Sequence, residues 1–312
     1  MEERPQEDPN RDLGFGSRVA QQTRKRFLNR DGSFNVERDG LSFLRSLSFY
    51  HALLTTSWTR FFLLIALAYF ATNGLFALAY LACGPGALRG AEGVTVAERL
   101  PEAFFFSVQT LATIGYGGVS PRGLAANLLV TLEALVGLMG FALATGLLFA
   151  RFSRPIAQIA FSERAVVAPY RGITALMFRI VNERSNQLIE VRATVSLSRM
   201  ETVDGARVRK FHPLTLERRK VVFLPLHWVC VHPIDEASPL WGVDEASFAA
   251  SDAEVLILLT GVDETFSQTV HARSSYKHDE VLWGARFRDM YVSSDDDTLR
   301  IDVRRLHDVE KA

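Results

Sequence analysis

Two long apolar stretches, close together and almost free of charge, constrain this chain more than any other feature. The first, from Phe61 to Cys83, has no charged residue and is broken only by Thr72, Asn73 and Gly74. At 1.5 Å per residue it reaches roughly 35 Å, enough to cross a hydrocarbon core with some tilt. Trp58 before it and Tyr80 near its end suit the two membrane interfaces. The second, from Leu124 to Phe152, is interrupted by Asn127 and Glu133. It is longer than a bilayer requires, so its end emerges into the cytoplasm.

Between the two runs lies a shorter apolar piece, Ala103 to Ala112, too short to cross. Pro101 suits a first helical position there, and Glu102 suits the positive end of the helix dipole. A short helix and a Gly-rich segment between two spans predict a re-entrant loop, because irregular backbone at membrane depth must be buried in protein or line a water-filled path. Arg24, Lys25, Arg26, Arg30, Arg38 and Arg45 precede the first span, and Arg151, Arg154 and Arg164 follow the second. The intervening loop offsets Arg89, Arg99 and Arg122 with Glu92, Glu98 and Glu102. Both termini are therefore expected in the cytoplasm.

The flanks read differently. Residues 1–40 are polar, with no sustained periodicity, and are expected to be largely flexible in isolation; nothing in them reads as a signal peptide. From Ser46 to Thr56 the apolar Leu47, Phe49, Tyr50, Leu53 and Leu54 share one helical face. That pattern fits a short helix lying at a membrane surface, or a small helix on a soluble core. After Pro155, short β-rich runs recur at 165–167, 175–181, 188–197, 220–224, 254–260, 266–272, 281–287 and 299–303. Many short strands without a long helical pattern predict an all-β sandwich of roughly 150 residues. The expected organisation is residues 1–40 as a cytoplasmic terminus, 41–155 as a two-span unit and 156–312 as the sandwich.

Composition excludes several classes. With 35 basic and 35 acidic residues there is no basic excess for a nucleic-acid partner. Cys83 and Cys230 are too few for a disulfide framework. His227, Cys230 and His232 invite a zinc reading, but strand alternation puts His227 on the face opposite the other two. Phosphate-loop, zinc-protease and serine-hydrolase motifs are missing, so an enzyme is not expected.

The segment after the short helix is Thr113-Ile114-Gly115-Tyr116-Gly117. Glycines at alternate positions admit backbone angles that other residues resist. With "AFFFSVQTLATIGYG" at 103–117, "GLLFARFSRP" at 146–155, "HPIDEASPLWG" at 232–242 and "DETFSQTVHARSSYKHDEVLWGARF" at 263–287, the chain resembles bacterial inward-rectifier potassium channels of the KirBac type over roughly residues 41–308. The resemblance implies a membrane α plus all-β fold. Its parts are two transmembrane helices with a re-entrant pore helix and selectivity filter, followed by a cytoplasmic immunoglobulin-like β-sandwich. It implies a bacterial inner-membrane homotetramer, since one loop supplies a quarter of a potassium filter. K+ is then the permeant ion, with no cofactor and no other metal. Rings of backbone carbonyls replace the hydration shell of the ion in such filters.

Further roles are carried by the same resemblance. Residues 113–117 bind the ion, with the Thr113 hydroxyl at the inner mouth and Tyr116 packed behind. Gly137 and Gly146 fall at flexible inner-helix glycines, Phe141 and Thr145 line the cavity, and Phe149 matches the aromatic that narrows the pore, or else faces lipid. Arg151 and Arg154 match positions that meet anionic lipid headgroups, which also describes snorkelling flanks. Glu133, an ionisable group inside a span, is placed behind the filter. Glu190 matches an acidic position of the cytoplasmic pore, or is a solvated strand glutamate. Gly261 to Gln268, with Asp263, matches the loop at the top of that pore.

The departures matter equally. Phe141 stands at the rectification-controlling position and is not acidic, so steep polyamine block is not expected. Ile156 and Ala157 replace the lysines that follow the proline in eukaryotic members, and Gln109 and Val119 replace their acidic–basic filter brace. Cys83 has no partner for their extracellular disulfide. A membrane-anchored β-sandwich sensor and a non-selective cation channel stay open as alternatives.

Overall fold

The computed structural model describes residues 13–15, 25–36, 49–153, 158–184, 186–293 and 298–312. Arg154, Pro155, Ile156, Ala157 and the first residues of the expected interfacial helix lie outside them. The chain divides into two compact units, Asp39–Arg154 and Met1–Arg38 with Pro155–Ala312, described separately below.

The first unit opens with helix α1 (Phe49–Thr55). Ser57 then caps α2 (Trp58–Ala82) by accepting from the Arg60 N–H. The third helix, α3 (Val96–Leu111), starts five residues before Pro101 instead of at it. The reason is a stronger start signal upstream: Thr95 and Glu98 form a reciprocal capping box that satisfies two orphan N–H groups. Glu102 accepts from the Gly93 N–H at 3.2 Å, bracing the loop before the helix, where a dipole role had been expected. A two-residue ladder, β1 (Leu88–Arg89) with β2 (Ser120–Pro121), joins the two sides of that loop. The last helix, α4 (Gly123–Phe152), runs unbroken for 30 residues. Both α2 and α4 are long and apolar enough to cross a membrane. Tyr80, expected at an interface, is instead buried inside this unit, because its hydroxyl has a carboxyl partner there.

The second unit is a two-sheet sandwich. One sheet has the order β11 (Gln268–Lys277), β10 (Glu254–Asp263), β6 (Leu188–Val203) and β7 (Ala206–Leu214), with β8 (Lys220–Phe223) also on β6. The other has the order β12 (Val281–Trp283), β4 (Ala165–Tyr170), β5 (Ile173–Asn182) and β3 (Ile159–Phe161), with β9 (His227–Ile234) on the other side of β5. The hydrophobic core lies between them: Phe178, Ile180, Leu197, Ile257, Leu259 and Tyr276 are all buried there. A short helix, α5 (Glu245–Ala250), adds Phe248 to that core. The strand β7 was not anticipated, and β9 was anticipated only through the alternation assumed for His227, Cys230 and His232, not among the β-rich runs. The charges of Arg207, Arg209 and Lys210 mask the period of the first, and Pro233 that of the second.

The described part of the N-terminal segment is packed, where flexibility had been expected. Phe27 and Leu28 are buried beside Phe211 and Leu256. Their N–H groups donate to the two carboxylate oxygens of buried Glu254 at 3.1 and 3.3 Å. Arg26 forks onto both oxygens of Glu280 at 3.0 and 2.9 Å. A buried acceptor on β10 thus captures a strand-like segment that has too few apolar residues to fold alone.

Candidate functional site

The site is built around the C-terminus of α3, where the backbone changes hand at alternate residues. Thr113, Gly115 and Gly117 have φ of 54°, 58° and 81°, while Ile114 and Tyr116 stay at negative φ. For β-branched Thr113 this is a costly conformation, and the two glycines adopt it freely. Alternation of hand gathers successive N–H groups on one side of the strand and the carbonyls on the other. The N–H groups of Ile114 and Gly115 both turn back onto the Gln109 carbonyl, at 2.7 and 3.3 Å, and that of Thr113 onto Thr110 at 3.0 Å. The helix end therefore consumes donors and leaves an acceptor-rich edge. Tyr116, expected to pack behind the filter, is 79% exposed in the single chain.

Two glycines hold this segment in place by close approach. A Cβ on Gly137 of α4 would lie 2.4 Å from the Leu111 carbonyl, so Gly137 lets α4 press on the end of α3. Its role in the structure is contact, whereas Gly146 has open space around it. Gly90, which sequence reasoning missed, would place a Cβ 2.1 Å from the Gly118 carbonyl and also has a φ of 87°. An isolated loop glycine gives no signal of that approach.

Behind α3 lies a buried polar cluster. Tyr80 donates to one carboxyl oxygen of Glu133 at 2.5 Å, and Ser107 meets the other. Ser107 also contacts the Asn73 carbonyl oxygen at 3.0 Å, and the Asn73 amide donates to the Tyr69 carbonyl at 2.8 Å. Glu133 is thus joined to α2 through Tyr80 and to α3 through Ser107. Its partners Asn73, Ser107 and Tyr80 were not anticipated, because each reads as an ordinary member of an apolar helix.

On α4, Phe141, Thr145 and Phe149 recur every four residues and are exposed in the single chain, Phe141 by 76% and Phe149 by 72%. Arg151 is differently placed from a headgroup ligand. Its guanidinium donates to the Leu53 and Thr56 carbonyls at the end of α1, the latter at 2.7 Å, and lies 4.5 Å from the rings of both Trp58 and Phe61. It pins α1 to α4, using carbonyls that a helix end leaves without partners.

In the sandwich, Gly261 lies opposite a bulge where the β10–β6 register shifts between Thr260 and Val262. Glu190 occupies that bulge with φ 53°, which turns its side chain to solvent. Lys220 pairs with it at 2.5 Å and holds its carboxyl below the usual range. Asp263 is fully buried: it accepts from Asn186 at 2.6 Å and from the Thr265 and Phe266 N–H groups at 2.9 and 3.3 Å. It shapes the turn and presents no carboxylate to a pore. His232 is held between the Thr215 carbonyl and Ser238 at 2.7 and 2.8 Å, and Cys230 is a core residue whose thiol burial pushes up.

Comparison with known proteins places these features. The profile of the inward rectifier potassium channel C-terminal domain matches residues 159–312, and an ion channel profile matches residues 58–154. The inward rectifier potassium channel Kirbac3.1 of Paramagnetospirillum magnetotacticum is 44% identical, over 91% of this chain and 95% of its own. The human G protein-activated inward rectifier potassium channel 3 is 32% identical, over 97% of this chain and 80% of its own. These families and relatives are ion channels and not enzymes. With two apolar helices, a re-entrant loop and a β-rich C-terminal unit, the chain is an integral membrane protein that belongs to the inward rectifier potassium channel family.

Proposed function

We propose that this chain forms a homotetrameric, K+-selective pore in the bacterial inner membrane, with both termini in the cytoplasm. The observation that carries the reading is the alternating backbone of residues 113–117, with the N–H groups of Ile114 and Gly115 turned onto the Gln109 carbonyl. One such edge offers carbonyls on one side only, so a closed coordination cage requires copies around an axis. Phe149 serves as a hydrophobic constriction that closes by dewetting, with Gly146 as the inner-helix glycine free to bend. Phe141 supplies no charge to the cavity, so rectification by polyamines is shallow.

The lipid response follows from Arg151. Its guanidinium is already held by two carbonyls and two rings of its own unit. Anionic lipid therefore competes with the α1 anchor or acts through Arg154. Glu190 contributes less to a cation-concentrating field than a free carboxylate, because Lys220 neutralises it locally.

The test is rubidium uptake against sodium uptake into liposomes holding the purified full chain, with and without barium. Barium-sensitive flux favouring rubidium supports the reading. Equal sodium flux means that the filter does not hold a selective shape, and no flux in any lipid mixture from a verified tetramer favours a sensor.

A further inference from the structure

The cluster behind α3 does not balance if Glu133 is ionised. Ser107 has one hydroxyl hydrogen but faces two acceptors, Asn73 Oδ1 at 3.0 Å and a carboxyl oxygen of Glu133. The orientation of the Asn73 amide is set on its other side, where Nδ2 donates to the Tyr69 carbonyl at 2.8 Å. Turning that amide over would oppose two oxygens at the same distance. An ionised Glu133 would take the Ser107 hydrogen and leave the contact with Asn73 Oδ1 without one, whereas a protonated Glu133 gives its hydrogen to Ser107 and frees Ser107 to donate to Asn73.

We infer that Glu133 is protonated and acts as a positioning residue that holds α3, and with it residues 113–117, against α2. The hydrogen bonds then run in one direction: Tyr80 donates to Glu133, Glu133 to Ser107, Ser107 to Asn73, and Asn73 to the Tyr69 carbonyl. Every polar atom in the chain of contacts is satisfied once. The groups facing Glu133 come from α2 (Tyr80, Asn73) and α3 (Ser107), and among the described residues no Lys, Arg or His makes an ion pair with it. Glu133 lies ten residues into α4, about 15 Å from its start, where an uncompensated charge is expensive and a neutral acid is tolerated. The requirement that this cluster support an ion filter rests on the function proposed above. The proton itself does not.

The experiment is infrared spectroscopy of the full chain in lipid vesicles, labelled with carboxyl-13C glutamate and compared with E133Q. A label-sensitive band of a protonated carboxyl, present in the unmutated protein and absent from E133Q, is the expected result. E254Q is the control, because Glu254 is the other fully buried glutamate among the described residues, and the band must survive that change. Loss of carboxylate bands alone in E133Q overturns the inference. If E133Q does not assemble, the unmutated and E254Q proteins suffice: the band in both supports the inference, and its absence from the first overturns it. A glutamine keeps one donor and one acceptor, so E133Q restores the potassium-over-sodium preference that E133A loses. A retained band without selective flux would strike the filter reading and leave the proton in place.

Discussion

The two units of this chain finish their folding differently. The sandwich closes its own core: Phe178, Ile180, Leu197, Ile257 and Leu259 are buried by a single polypeptide. In the membrane unit only 22% of the most apolar window of α2 is buried, and only 6% of that of α4. Phe141, Phe149, Leu138 and Met139 all stand exposed. In water a helix with that surface would aggregate, so an apolar surrounding must cover it. One unit closes a core of its own, and the other leaves most of its apolar helix surface uncovered.

The sharpest way to break this contrast is at the backbone. Gly115→Asp should reduce potassium-selective flux to that of empty vesicles while assembly is retained, because an L-residue resists φ 58° and adds a charge beside the carbonyls. Unchanged selectivity would remove residues 113–117 from the conduction path. In the sandwich the comparable injury is a cavity. Leu259→Ala should cost about 2–5 kcal/mol of domain stability, read as an earlier loss of Trp228 fluorescence, with the selectivity of surviving channels unaltered.

Smaller changes separate contact from hinge in α4. Gly137→Ala should destabilise the assembled protein by about 1–3 kcal/mol, since its Cβ would meet the Leu111 carbonyl at 2.4 Å. Gly146→Ala, in open space, should leave thermal stability nearly unchanged and alter opening instead. Equal effects on melting temperature would refute the division of roles.

Protonation of the sandwich gives the next prediction. Burial lowers His232 from its ordinary 6.5, and the same holds for His227. A histidine whose folded form favours the neutral ring contributes stability above its unfolded value and loses it as pH falls through the lowered one. Domain stability should therefore be flat above pH 6.5 from these groups and decline below it, and His232→Gln should shallow that decline. The smallest effect belongs to Glu190→Gln, which removes a solvent-screened pair with Lys220 and should leave the melting temperature of the domain essentially unmoved.

Much of this was legible in the residues, for identifiable reasons. Hydropathy marked both spans to within three residues at their starts, because a bilayer imposes length and purity on a helix. The alternating backbone of residues 113–117 was legible because alternate glycines have a backbone meaning. Glu133 stood out as the one acid inside a span, yet its hydrogen-bond partners, Ser107 and Tyr80, lie 26 and 53 positions away. Such pairings exist only after packing. The same holds for Arg151, where a flanking cation reads as a lipid ligand until α1 presents its carbonyls. Residues 25–36 misled for the converse reason: their apolar content is low, and their order comes from Glu254 on β10 and from Glu280, both far along the chain.

The central claim is that residues 113–117 of several copies together select potassium. The most direct measurement is the reversal potential of purified channels in a planar bilayer with potassium on one side and sodium on the other. The account predicts a reversal displaced far toward the potassium equilibrium potential, abolished with the current by barium. A reversal at zero, with both ions carrying current equally, would contradict it.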